Sequence, residues 1–153
     1  MKKGGQAWGF DLVVGTVIFV IGILSFYFYT TNLSGGEGDV IQQIQQNGEL
    51  IADSLMSEGS PLDWNPDNVV RIGLLSEDRI NETKLDNFRS LAESDYNRAK
   101  SLFRVNSEYF VYLGSDSANG IGRDSTDAVN LIKITRVVVH NQSITTLNVY
   151  SWN

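Results

Sequence analysis

The chain holds one histidine and no cysteine in 153 residues, and that inventory limits its chemistry before any pattern is considered. A thiol nucleophile and a two-histidine metal site are both absent. A Ser/His/Asp triad would need His140 to leave the turn in which the sequence places it. A solvated turn residue is the expectation for it. Oxygen donors gather in residues 114–127, where Asp116, Asn119, Asp124 and Asp127 could in principle ligate calcium. The EF-hand spacing fails there, because Ala118 and Gly120 fall on ligand positions. Gly120-Ile121-Gly122 lacks the third glycine and the surroundings of a phosphate-binding loop. No catalytic site and no cofactor are expected from this set, so the chain reads as something other than an enzyme.

Asp11 is the other chemically loaded position. It heads a run of eighteen residues, 12–29, with no charge and no proline. As a helix rising about 1.5 Å per residue, the run reaches roughly 27 Å, close to the hydrocarbon thickness of a bilayer. A carboxylate costs about 2.5 to 3.5 kcal/mol at mid-membrane depth and less near the interface, so an acid kept at the head of this run calls for a partner. Lys2 and Lys3 precede it, whereas the residues that follow hold the acids Glu37, Asp39, Glu49, Asp53 and Glu58. The positive-inside bias therefore puts the N-terminus in the cytoplasm and the C-terminal domain outside. Trp8 and Phe10 at one end, and Phe26-Tyr27-Phe28-Tyr29 at the other, suit the two headgroup levels. The run ends in Tyr-Phe-Tyr-Thr-Thr without a small-x-small cleavage site, so the helix is expected to stay on the protein.

These residues must be positioned by a modest fold. With about thirty residues committed to the membrane, the remainder supports one domain with a single core. A net charge of −6 and a pI near 4.6 give no cationic face for phosphates, so nucleic acid is not an expected partner. The division reads as a basic stub over 1–5, a transmembrane helix over 6–31, a joint and helix extension over 32–58, and an extracellular domain over 59–153. The fold class is α+β: the long N-terminal helix, then a small domain with an antiparallel sheet packed against helices.

Within that plan, the glycines at 35, 36 and 38 form a joint. Asp39 is placed to cap a second helix carrying Val40, Ile44, Ile51 and Leu55 on one face, which Asn47-Gly48 interrupts. Residues 59–68 hold both prolines and form a loop pinned by Trp64. Residues 69–75 suit a short strand. Leu85, Phe88, Leu91, Ala92, Tyr96, Ala99, Leu102 and Phe103 then recur at helical spacing along one long helix whose opposite face is charged. Strands are expected over 108–113, 129–139 and 144–152, the last two as a hairpin turned at residues 140–143. Residues 114–127 form a polar surface loop. Three sequons, at Asn32, Asn81 and Asn141, fall at joints or turns on the side expected to be outside and are candidate N-glycosylation acceptors. Asn81 also suits the N-cap of the long helix.

A basic stub, small residues, a glutamine, an acid and a long uncharged helix, with a β-rich domain behind, resemble the archaeal type IV pilin-like proteins. The resemblance covers about the first thirty residues well and the rest by order of elements. It implies a prepilin peptidase that removes the stub in the region of Gly5, Gln6 and Ala7, leaving the helix as the polymerisation module. A cut between Gly5 and Gln6 makes Asp11 the sixth mature residue; a cut after Gln6 makes it the fifth, where the family usually carries an acid, more often Glu. The freed α-amino group, with a pKa near 8, would be a cation that Asp11 of the same or a neighbouring subunit could neutralise. Gly15 and Gly22, seven residues apart, allow close helix approach on one face. The implied function is a structural subunit of a surface filament, with adhesion among its roles. The implied partners are the membrane, copies of the chain itself, the prepilin peptidase and the pilus assembly machinery. The alternative is an unprocessed single-pass membrane protein with an extracellular ligand- or partner-binding domain.

Overall fold

The structure, a computed structural model, describes residues 5–33, 37–126 and 128–153. The chain divides into two compact units, 1–40 and 41–153. The first contains helix α1 (Gly5–Leu33). Asp11 is its only charged residue, and its apolar side chains are exposed on every side, from Leu12 and Val13 to Phe28 and Tyr29. A helix apolar all round has no polar face to turn to water and needs an apolar surrounding. Its threonine hydroxyls bond back to the helix: Thr16 Oγ1 donates to the Leu12 carbonyl at 2.9 Å and Thr31 Oγ1 to the Tyr27 carbonyl at 2.8 Å.

Helix α2 (Glu37–Leu55) begins before Asp39, which therefore lies inside the helix and does not cap it. It also runs unbroken through Asn47-Gly48, contrary to the expected interruption. The reason is tertiary. A Cβ at Gly48 would lie 2.9 Å from Ile134 Cδ1 and 3.3 Å from Ser151 Cβ, so glycine is what lets this turn of α2 approach the sheet. Ile44, Ile51, Ala52 and Leu55 are buried on the same side.

Residues 69–75 are not the expected strand. Only Leu75 enters one, the two-residue β1 (Leu75–Ser76), which turns back into β2 (Arg79–Ile80) through Glu77 and Asp78, both at positive φ. The preceding backbone bonds elsewhere: Ser60 N–H to the Arg71 carbonyl, Arg71 N–H to the Ser60 carbonyl, and Leu74 N–H to the Leu55 carbonyl. Trp64 is buried and its Nε1 donates to the Gly73 carbonyl at 2.8 Å, so it pins the loop as expected. Gly73 has no alternative, since a Cβ there would stand 2.2 Å from the Gly59 nitrogen.

The long helix divides in two, α3 (Glu82–Ser94) and α4 (Tyr96–Phe103). Asp95 ends one and starts the other: its N–H bonds to the Leu91 carbonyl while its side chain accepts from Arg98 N at 2.9 Å. A short acidic side chain competes for backbone donors, and apolar spacing alone does not report it. Asn81 caps α3 as expected, accepting from Lys84 N at 3.1 Å.

Strands β3 (Glu108–Leu113), β4 (Ile121–Gly122), β5 (Leu131–His140) and β6 (Ser143–Trp152) complete a six-stranded sheet of order β1-β2-β5-β6-β3-β4. The expected antiparallel arrangement holds except between β2 and β5, which pair in parallel at Arg79 and Val139, so the sheet is mixed. The β5–β6 hairpin turns where expected, at Asn141-Gln142, with both residues at positive φ, as a two-residue turn matched to strand twist requires. The expected loop 114–127 contains a 3-10 turn (Ser117–Asn119) and β4. On the inner face Tyr109, Val111, Ile134, Val138, Leu147 and Val149 join Ile51, Leu55, Phe88, Leu91 and Phe103 in one core. Phe88, Phe103 and Tyr96 all contact the Tyr109 ring. The opposite face stays open at Lys133, Thr135, Val137 and Ile144.

Candidate functional site

Two regions carry functional potential, and each belongs to one unit. In the first, α1 contains a stretch of 23 residues, Gly9–Thr31, long and apolar enough to cross a bilayer, a property that membrane anchors share with signal sequences. Gly5, Gln6 and Ala7 lie in the first turns of α1, with the side chains of Gln6 and Ala7 outside the described residues. Asp11 is exposed one turn further on. At Gly15 and Gly22 a Cβ would meet nothing within 4 Å, so both surfaces are open to an approaching helix.

In the second unit a cavity of about 350 Å³ opens between α3 and the inner face of the sheet. Alternation along β3 and β6 points Val111, Leu113 and Leu147 into it, α3 contributes Leu85 and Arg89, and the turn after β3 contributes Asp116 and Asn119. Arg89 Nη2 donates to the Asn119 carbonyl at 3.1 Å, and Asn119 Nδ2 donates to Asp116 Oδ2 at 2.7 Å.

His140 borders the same cavity and is not the solvated turn residue expected. It is half-buried, with Nε2 2.5 Å from Glu82 Oε1, and Asn141 Nδ2 reaches the same oxygen at 3.2 Å. The parallel β2–β5 pair causes this, because it sets the hairpin tip beside the first turn of α3. Asp116 and Asn119 bond to each other and Asp124 is exposed, while Asp127 lies outside the described residues. No group of three His, Cys, Asp or Glu side chains forms a metal cluster among the described residues. Of the sequon asparagines, Asn81 is half-buried with Nδ2 3.3 Å from Ser76 Oγ, Asn141 sits exposed in the hairpin turn, and the Asn32 side chain lies outside the described residues.

Charge is handled tightly at two further places. Lys84 is only 7% exposed, and its Nζ donates to the Glu58 and Leu75 carbonyls at 2.8 and 2.7 Å. Glu108 accepts from Lys100 Nζ at 2.7 Å and Arg123 Nη1 at 3.1 Å. Partial burial raises its carboxyl, but hydrogen bonds from Lys100 and Tyr96 and the charges of Lys100 and Arg123 outweigh that and hold it below the usual carboxylate range. On the open face, Lys133 Nζ lies over the rings of Tyr112 and Tyr150 at 5.8 and 5.5 Å. A hydrogen bond from Tyr150, supported by Lys133, pulls the Tyr112 hydroxyl down.

Neither Arg89 nor Lys84 was singled out from the sequence, although Lys84 stands four residues before Phe88 and seven before Leu91, on the apolar side of the helix, where a charge needs buried acceptors. Comparison with known proteins finds no match: no family model, no curated protein and no solved structure aligns significantly with the chain.

Proposed function

We propose that this chain is a pilin-like structural subunit, held in the membrane as a precursor by α1, trimmed near Gly5 and Gln6 by a prepilin peptidase, and assembled through α1 into a surface filament. The observation that carries the reading is α1 itself: apolar on every side, with Asp11 as its single charge near the end that trimming would free. A lipid anchor needs the apolar surface but not the acid, whose desolvation is unfavourable unless a cation meets it. A new α-amino group at the head of the helix is that cation. In a filament, the exposed apolar surface of α1 would be covered by neighbouring copies, with Gly15 and Gly22 allowing close approach. The packed domain then forms the outer shell.

The test is mass spectrometry of the surface-exposed protein. A mature N-terminus near Gln6, lost when the prepilin peptidase is deleted, supports the reading; recovery of chains starting only at Met1 sinks it. A second reading, an unprocessed single-pass protein with a ligand-binding outer domain, draws on the cavity beside α3. It predicts an unchanged chain mass when the peptidase is absent.

A further inference from the structure

The cavity beside α3 has a floor and a rim of different chemistry. Leu85, Val111, Leu113, Ile121 and Leu147 make the floor apolar. At the rim, Arg89 and Asp116 bracket a single residue, Asn119, one bonded to its carbonyl and the other to its side-chain amide. Neither charge has an ion-pair partner among the described residues, whereas His140, which also lines the cavity, is engaged by Glu82. Asn119 uses one of the five N–H groups of the Arg89 guanidinium.

We propose that this cavity binds a free α-amino acid with an apolar side chain: its carboxylate on Arg89, its ammonium on Asp116, its hydrocarbon in the floor. The size fits. About 350 Å³ lies at the small end of the roughly 300 to 1,000 Å³ of small-molecule sites, which suits a small ligand such as leucine. The charges fit as well. Two opposite charges set on either side of one residue match a ligand whose own two charges sit on one carbon, and each contact is charge-assisted. A fatty acid or an amine would satisfy one rim group and leave the other charge unmatched. This assignment rests on the outer domain alone and is independent of the filament reading, which is drawn from α1.

Titration calorimetry on the full chain in maltoside micelles tests it, with L-leucine, isocaproate and isoamylamine as probes. Saturable leucine binding is expected, with each one-ended analogue weaker by about tenfold or more. Arg89→Met and Asp116→Asn are each expected to weaken leucine by a similar factor, and Leu113→Trp, which fills the floor, to abolish binding. The rim variants leave the packed floor intact, so they decide the matter if Leu113→Trp fails to fold. Absence of saturable leucine binding, equal affinity for a one-ended analogue, or unchanged affinity in both rim variants overturns the proposal.

Discussion

Asn47 of α2 donates from Nδ2 to Ser107 Oγ, just ahead of β3, over 2.7 Å, with both residues buried. This bond and the close approach at Gly48 fasten the helix to the sheet at two adjacent positions of low intrinsic helix propensity. Asn47→Ala leaves the Ser107 hydroxyl buried without its partner, and a loss of about 1 to 3 kcal/mol is expected. Urea unfolding of the full chain in micelles measures it. A Ser107→Ala partner variant should make the double loss smaller than the sum of the single losses.

Lys84 offers a second test of a buried polar bond. Lys84→Met keeps the hydrocarbon stem and removes the donor to the Glu58 and Leu75 carbonyls. Two carbonyls left unsatisfied should lower stability by about 2 to 4 kcal/mol. Chemical denaturation that finds Lys84→Met as stable as the parent chain would mean that burying the ammonium costs as much as its hydrogen bonds return.

Glu108 makes stability depend on pH in one direction. Its folded-state carboxyl is held below its ordinary value of 4.5, so its contribution is complete above that pH and is lost as pH falls through the depressed folded value. The stability gap between the parent chain and Glu108→Gln should therefore be constant near neutrality and shrink on acidification below the ordinary carboxyl value of 4.5. Thermal melts of both proteins across that range provide the check, and a gap that widens on acidification contradicts it.

Asp11 carries the assembly prediction. On the proposed function, Asp11→Ala should leave the C-terminal domain folded and membrane insertion undiminished, because it removes an unfavourable charge from α1. On the same proposal filament incorporation should fall sharply, since the α-amino group that trimming would free would lose its counter-ion. Electron microscopy and shearing of surface filaments read this out, and an unchanged filament yield removes Asp11 from the mechanism.

Some of this architecture was legible from local pattern. The apolar surface of α1 follows from composition, Trp64 follows from a loop dense in turn residues, and β3 and the β5–β6 hairpin follow from alternation and β-branched residues. The Asn81 cap follows from its place ahead of a periodic run. Each depends on neighbours within a few positions, so the sequence alone determines it.

Other features depend on what arrives from far along the chain. Asn47-Gly48 looked like a break and proved to be a contact, because Ile134, Ser151 and Ser107 come to meet it. Lys84 carries a charge and is nonetheless buried, because the Glu58 and Leu75 carbonyls close over it. His140 looked like a free turn residue and is held by Glu82 through the parallel β2–β5 pair. The cavity draws Arg89, Val111, Asp116, His140 and Leu147 from separate elements. Periodicity along one segment reports which face is apolar, but burial of a charge, the seating of a glycine and the closing of a cavity are set by long-range packing, and only the tertiary structure decided them.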